Sequence, residues 1–176
     1  MRTVIYGGAT SLDNFLARPD GAVDWLMWND EVAAITMAMW KTVDTMVMGR
    51  KTFEVARRMG GGPEDSSAFA AIKSYVFSRT LPDEAGVNIV REDVAAFVAR
   101  LKQEPGKDII VMGGGELARP LFEAGLIDRV GFNIHPVLLG SGVPAFHPMT
   151  HQIDLELEES RPFKNGSVYV SYRVVH

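Results

Sequence analysis

One junction limits the folds open to this chain more than any other feature. The apolar segment Asp108–Met112 runs directly into three glycines, and a segment with helical spacing follows from Glu116. A short apolar run predicts a buried strand, so the chain passes from strand to helix through a turn without side chains. Such a turn lets an anion approach free backbone N–H groups and the positive end of the helix dipole. The glycine spacing is not that of the Rossmann fingerprint, and a ligand-free tight turn explains the junction equally well.

A second junction has the same order of elements. The strand predicted over residues 45–48 is followed by Gly49, Arg50, Lys51 and Thr52, which open a predicted helix over 51–58. Two cations and a hydroxyl at a helix N-terminus favour phosphate binding. The glycine spacing of a nucleoside-triphosphate loop is missing, and a solvated pair of cations at a helix start is the alternative interpretation.

A third predicted strand end adds another hydroxyl and another cation, Ser78 and Arg79. An arginine in this position can neutralise the 2′-phosphate of an adenosine ribose, although an ordinary exit from a strand has the same residues. Ligands of open α/β sheets bind beyond the carboxyl ends of the strands. The three ends together therefore indicate one extended anionic ligand, and NADPH has the required pyrophosphate and 2′-phosphate.

The order of elements predicts an α/β fold. Strands alternate with helices up to Gly125, and further helices are predicted from Asn29 or Asp30 to about residue 41, over 93–102 and over 116–124. Residues 136–139 look extended, and the glycine-rich stretch 59–67 is predicted to be a surface loop.

The last third of the chain changes character. Ile153, Leu155 and Leu157 alternate with acidic residues, which is typical of a half-buried strand. Asn165 and Gly166 then favour a hairpin into another alternating strand. The chain is therefore expected to form a mixed, mostly parallel sheet with an antiparallel C-terminal hairpin.

Composition excludes several classes of protein. The 176 residues suit a single domain over 1–176, and the absence of cysteine removes thiolate zinc sites, iron–sulfur clusters and cysteine nucleophiles. A net charge of −4 argues against general nucleic-acid binding, and no apolar run is long enough for a membrane span or a signal peptide. His147 and His151 lack a third ligand at metal spacing, so no metal is expected. We expect a cytoplasmic protein.

Two motifs resemble those of the dihydrofolate reductases. The sequence GRKTFE at 49–54 resembles the start of their cofactor-binding helix, and VMGGGEL at 111–117 resembles their second glycine turn. The sequences ATSLDNFLA at 9–17 and PVLLGSG at 136–142 are closer to one branch of that superfamily. This branch is the reductase domain of the riboflavin-biosynthesis bifunctional deaminase-reductase, with its stand-alone bacterial relatives. The resemblance covers nearly the whole chain and is specific for the superfamily, not for a substrate.

The resemblance implies a dihydrofolate-reductase-like three-layer fold, NADPH as hydride donor and frequently a homodimer. By the same resemblance, the pyrophosphate side would be held by Gly49, Arg50, Lys51 and Thr52, and the 2′-phosphate by Ser78 and Arg79. The rest of the cofactor's path would be lined by Gly113, Gly114, Gly115, Glu116 and Leu117, and a cis peptide bond is allowed between the first two. The nicotinamide would be flanked by Ala9 and by Leu16, the latter from a mobile loop.

Two positions depart from the family patterns. Dihydrofolate reductases carry a carboxylate inside the first helix that faces the pterin ring, and the matching position falls near Ala33, one turn after Asp30 and Glu31. This counts against folate as the substrate. The riboflavin branch usually has glycine after Ser-Leu-Asp, where this chain has Asn14; asparagine tolerates positive φ, so the turn is expected to survive.

The residues that would act on a substrate carry weaker signals. Asp13 is the first candidate for a polar substrate contact or for proton delivery, and Asp30 is the second. A turn-capping and a helix-capping role, respectively, are the alternatives. The aromatic residues Trp25, Trp28 and Phe146 could form an apolar wall for a flat ring, although core packing explains them more simply.

The resemblance implies a reductase that transfers hydride from NADPH to a heterocyclic or ribosylaminopyrimidine-like small molecule, as a 5-amino-6-(5-phosphoribosylamino)uracil reductase does. A true dihydrofolate reductase and a cofactor-binding module without turnover are the alternatives. A phosphorylated substrate would need a further cation, for which Arg18, Arg161 and Lys164 are candidates.

Overall fold

The computed structural model describes residues 1–58, 72–84 and 86–176, and the predicted loop at 59–67 lies outside these residues. The strands are β1 (Val4–Ser11), β2 (Phe15–Ala17), β3 (Val43–Gly49), β4 (Lys73–Phe77), β5 (Asn88–Val90), β6 (Asp108–Met112), β7 (Arg129–His135), β8 (Val143–Pro144), β9 (Leu155–Pro162) and β10 (Val168–Val174). The helices are α1 (Asp30–Thr42), α2 (Arg50–Arg58), α3 (Val94–Gln103) and α4 (Gly115–Glu123).

Eight of these strands form one sheet in the order β5-β4-β3-β6-β1-β7-β10-β9, and β2 pairs separately with β8. Neighbouring strands from β5 to β7 in this order are parallel. The strand β10 is antiparallel to both of its neighbours, β7 and β9. The mostly parallel sheet with an antiparallel C-terminal hairpin is therefore confirmed. The ends of β4, β3, β6 and β1 are consecutive along one side of the sheet, which we call the carboxyl edge; the opposite side is the amino edge.

Local signals fix where the helices begin and end. Asn29 is the N-cap of α1, since its side-chain oxygen accepts from the N–H of Val32 at 2.9 Å, so the cap is Asn29 rather than Asp30. Asp93 caps α3 in the same way through the N–H of Ala96. After α4, Gly125 has a φ of +63°, a left-handed conformation that ends a helix at little cost to glycine.

Helices cover both faces of the sheet, which gives three layers. On the face covered by α3 and α4, here the α4 face, Val98 and Leu121 pack on strand residues such as Tyr6. On the other, the α1 face, Phe53 of α2 packs on strand residues such as Ile110. The two layers of helices leave the carboxyl edge open between them.

The half-burial predicted for the strand at Leu155 and Leu157 is wrong. These side chains are 44% and 56% exposed, because β9 is the outermost strand and is exposed along most of its length. Period-two alternation predicts a strand but carries no information on whether another element covers it. Residues 136–139 form a loop and not a strand, with Leu138 exposed. None of the helices in the described part of the chain is long and apolar enough to cross a bilayer.

Candidate functional site

The carboxyl edge brings the three predicted anion-binding junctions together. Parallel pairing sets Gly49 at the end of β3 beside Phe77 at the end of β4, and Met48 beside Met112 at the end of β6. The end of β1 follows as the fourth strand. Four adjacent strands cover three spacings, roughly 14 Å, along which one extended ligand can contact every strand end.

Positive charge at the end of β3 is only partly neutralised. Arg50 forms an ion pair with Glu54 one turn further along α2, at 2.7 Å. Lys51 is exposed and has no hydrogen-bond or ion-pair partner in the described residues. A Cβ added to Gly49 would meet nothing within 4 Å, so the space above this glycine is open to a ligand.

The end of β4 supplies a second exposed cation. Arg79 is exposed, and no residue described in the structure pairs with it. The Ser78 hydroxyl already accepts from the N–H groups of Thr80 at 3.2 Å and Leu81 at 2.9 Å. This fixes the turn that carries Arg79, so the hydroxyl organises the loop and its proton is still available to an anion.

The glycine turn after β6 contacts two neighbouring elements, α2 and β1. Gly113 has a φ of +117°, and a Cβ there would clash with Oγ1 of Thr52 on α2. The carbonyl of Gly113 accepts from the Tyr6 hydroxyl at 3.1 Å. The cis peptide bond allowed between Gly113 and Gly114 is absent; positive φ at Gly113 turns the chain instead.

The first turn of α4 faces the carboxyl edge without a side-chain cap. Gly114 is its N-cap and offers no side-chain hydrogen bond, while a Cβ at Gly115 would strike Ala145 and His147. Glu116 is exposed, and Leu117 packs against the core of the α4 face. Uncapped N–H groups at a helix start are suited to an anion.

The end of β1 continues into a segment held by pairing. Ala9 lies in β1, half-buried, and Leu16 lies in β2, where it packs against the core of the α4 face. Leu16 therefore lies in a short strand paired with β8, whereas the resemblance implied a mobile loop at this position. Asn14 has a φ of +64°, which confirms that asparagine supports the turn between these strands.

Asp13 joins two loops. Its carboxylate accepts from the Ser11 hydroxyl at 2.6 Å and from the N–H groups of Leu139 at 3.1 Å and Gly140 at 2.8 Å. These hydrogen bonds, that of Ser11 above all, lower the pKa of Asp13. The carboxylate is therefore ionised at neutral pH and has no proton to give.

The other candidate substrate residues are not brought together. Trp25 is buried against His135 on the α1 face, with ring centroids 5.4 Å apart, whereas Phe146 packs on Tyr6 and Phe132 on the α4 face. Trp28 is 65% exposed. Asp30, in the first turn of α1, is exposed as well. The structure thus offers no single aromatic wall from this set.

The three candidate cations for a phosphorylated substrate have different partners. Arg18 pairs with Asp24 and Arg161 with Glu159, while the backbone N–H of Lys164 donates to Glu31. All three lie outside the core.

Sequence reasoning missed Asn133, which is buried beside His135 near the end of β7. Its position two residues before His135, in an apolar stretch that ends at Pro136, was the available signal.

Comparisons with known proteins agree with this geometry. The sequence model of one protein family, the RibD C-terminal domain, matches residues 2–169 of this chain. The uncharacterized protein YwjB of Bacillus subtilis (strain 168) is 35% identical over 166 residues, 92% of each chain.

Solved structures show the same fold. A Shewanella sp. PV-4 protein described as a riboflavin biosynthesis protein superposes with a TM-score of 0.83, at 22% identity and over 100% of both chains. The dihydrofolate reductase of Enterococcus faecalis, complexed with NADP(H), superposes with a TM-score of 0.71, at 16% identity, over 99% of this chain and 97% of that one. The three-layer architecture is therefore dihydrofolate-reductase-like, and the chain belongs to the RibD C-terminal domain family.

Proposed function

We propose that the chain is an NADPH-dependent reductase that transfers hydride to a heterocyclic or ribosylaminopyrimidine-like small molecule. The observation that carries this proposal is a row of features suited to phosphate along the carboxyl edge: open Gly49, Lys51 and Arg79 with no partner among the described residues, and the start of α4 without a side-chain cap. A dinucleotide with a pyrophosphate and a 2′-phosphate matches their order along the sheet and their charge. The E. faecalis reductase with bound NADP(H) shares the fold, and the Shewanella protein bears a riboflavin-biosynthesis description.

The described residues fit NADPH, which would supply the hydride from its nicotinamide when bound. We assign the pyrophosphate to Gly49, Lys51, Thr52 and the first turn of α4, and the 2′-phosphate to Arg79. Arg50, half-neutralised by Glu54, contributes less. Ala9 at the end of β1 is assigned to the nicotinamide, and Leu16 to the neighbouring segment that excludes water.

We assign Asp13 to positioning and not to proton donation. Its carboxylate ties the segment after β1 to the loop at 137–140, so the parts that flank the nicotinamide stay in register. Its remaining lone pairs can accept a hydrogen bond from substrate. Asp30 is too exposed for a defined role in the chemistry.

Titration with NADPH and NADH tests the cofactor assignment. We expect NADPH to bind at least roughly tenfold more tightly, because a charge-assisted hydrogen bond contributes about 1.5–3 kcal/mol. Arg79→Ala should reduce that preference by roughly tenfold. The control Arg100→Ala removes an exposed arginine on α3 that pairs with Glu92 and should change neither affinity. Absence of NADPH binding at millimolar concentration would contradict the assignment as an NADPH-dependent reductase.

Two alternatives have their own tests. Beyond its first turn α1 carries no carboxylate, which disfavours a true dihydrofolate reductase; nanomolar inhibition by methotrexate would favour it. A cofactor-binding module without turnover would bind NADPH but leave it unoxidised with aminopyrimidines, dihydrofolate and small carbonyl compounds.

We further propose a homodimer formed through β9. This strand is the last of the sheet, and Leu155 and Leu157 on it are exposed. An edge strand that exposes apolar side chains favours association with a second copy. Light scattering should give twice the mass of 19.3 kDa, and Leu157→Lys should restore the monomer.

A further inference from the structure

A cluster of buried polar side chains lies on the α1 face at the end of β7, and the proposed function leaves it unused. His135 is 2% exposed, and Asn133 and Trp25 are each 7% exposed. Within the described part of the chain, two polar atoms of this cluster lack any hydrogen-bond partner: Trp25 Nε1 and Asn133 Oδ1. Buried polar atoms are almost always paired, so both need an explanation.

The tautomer of His135 follows from one neighbour. The backbone N–H of Met27 lies 3.2 Å from His135 Nδ1. An N–H can only donate, so Nδ1 carries no proton. Burial lowers the pKa of His135, and the neutral ring therefore carries its single proton on Nε2.

This tautomer fixes the orientation of Asn133. Its amide lies 3.1 Å from His135 Nε2 with Nδ2 as the near atom, which would set one donor against another. The two ends of an amide are distinguished only by their hydrogen bonds. With the amide turned over, Oδ1 accepts from Nε2–H and is no longer unpaired. Nδ2 then stands in the enclosed position with two N–H donors and no acceptor.

The orphaned amide lies beside the proposed nicotinamide position. Asn133 pairs with Ala9 of β1 on one side and with Tyr169 of β10 on the other, so the three side chains project from the same face. Neighbouring strands are roughly 4.8 Å apart. A ring held against the nicotinamide at Ala9 is therefore within one strand spacing of the amide.

We propose that Asn133 Nδ2 donates to a carbonyl oxygen of an oxo-substituted heterocycle, with Trp25 Nε1 as a second donor and His135 as the positioning residue that orients the amide. This rests on the proposed function, which places the hydride acceptor next to Ala9. The amide is enclosed, so the ring reaches it only when a neighbouring side chain moves aside. A ring with an amino group in place of the carbonyl would bring its own N–H donor against Asn133 Nδ2, which is also a donor. We therefore expect the protein to reject such a ring.

Nuclear magnetic resonance tests the orientation without any ligand. Long-range proton–nitrogen spectra of the full chain, labelled with 15N-histidine, should show His135 with its proton on Nε2. A proton on Nδ1 would overturn the proposal, because Asn133 Nδ2 would then donate to the ring, and Oδ1, which can only accept, would stand in the enclosed position.

Calorimetry with two matched probes tests the recognition. 6-Aminouracil carries ring carbonyls, and 2,4,6-triaminopyrimidine carries amino groups in their place. The wild-type protein, with and without NADP⁺, should bind 6-aminouracil roughly tenfold more tightly, and Asn133→Asp should reverse the order, since a carboxylate accepts from an amino group. Asn88→Asp, at the exposed Asn88 of β5, is the control and should keep the wild-type order.

Equal affinity for the two probes, or binding of neither at millimolar concentration, contradicts the proposal. The NADPH titration decides the reductase assignment separately. A ring preference without NADPH binding would remove the reductase and keep the recognition site, whereas NADPH binding without a ring preference would remove the recognition site alone.

Discussion

The cationic side chains at the two edges of the sheet differ in their burial and in their partners. At the amino edge, Arg2 is buried and donates to Asp44, to Thr45 at 2.6 Å and to the carbonyl of Lys107. Lys102, also buried, donates to both oxygens of Asp128, at 2.7 and 2.8 Å. At the carboxyl edge, the cations are exposed, and Lys51 and Arg79 have no partner among the residues described.

This difference in burial assigns the amino-edge cations to stability and the carboxyl-edge cations to ligand binding. A buried, fully bonded ion pair holds the strands together but offers nothing to a ligand, and removing one partner leaves an uncompensated charge. An exposed cation with no partner adds little to stability and can neutralise an incoming phosphate. Substitutions at the amino edge should therefore change unfolding, and those at the carboxyl edge should change affinity.

The largest effect is expected for Asp128→Ala. This change leaves the buried Lys102 ammonium without its counter-charge and removes the acceptor for the Val4 N–H at 2.7 Å. The free energy of unfolding in urea should fall by roughly 3 kcal/mol. The control Asp83→Ala removes the exposed partner of Arg91 and should cost less than about 1 kcal/mol. Equal losses would erase the contrast between buried and exposed pairs.

Two glycines of the carboxyl edge give an intermediate effect. Gly113→Ala forces a side chain into positive φ against Thr52 and should cost roughly 1–3 kcal/mol of stability. Gly49→Ala meets nothing within 4 Å, so urea unfolding should hardly change while the affinity for NADPH falls roughly tenfold. Unchanged affinity in Gly49→Ala would show that no ligand approaches this backbone.

The smallest effect is expected for Asp13→Asn, at a carboxylate of the carboxyl edge that is already bonded. The hydrogen bond from Ser11, and those from the loop at 139–140, lower the pKa of Asp13. The stability that it contributes is therefore present above its unfolded pKa of about 4 and is lost as the pH falls through the lower folded value. The difference in urea midpoint between wild type and variant should shrink from pH 7 to pH 3. A difference independent of pH would mean that the charge of Asp13 plays no part.

Much of the fold could be predicted because its signals are local. The apolar runs of β6 and β7 and the glycine junctions are contained in short stretches of sequence, and the N-cap of α1 depends on Asn29 and a residue three positions later. The family resemblance then ordered these elements into one fold.

The rest depends on contacts between distant residues. Met27 donates to His135 across 108 positions of sequence, and no local pattern shows that bond. Trp25 and Phe146 share an aromatic character but lie on opposite faces, because the chain crosses the sheet between them. Asp13 lies in a motif that suggests chemistry, yet its partners at 139–140 come from a loop 126 and 127 positions away.

The position of β1 in the middle of the sheet has a consequence for synthesis. Val4 pairs with Ile109 and Ile5 with Arg129, so β1 has no partner strand in the sheet until more than 100 further residues have been synthesised. At roughly 5–20 residues per second, that wait lasts about 5–20 s. Pairings so distant in sequence also make folding slow. The strand that carries Ala9 is therefore made long before its partners and is placed late, and a ribosome-bound fragment ending before β6 has no complete carboxyl edge.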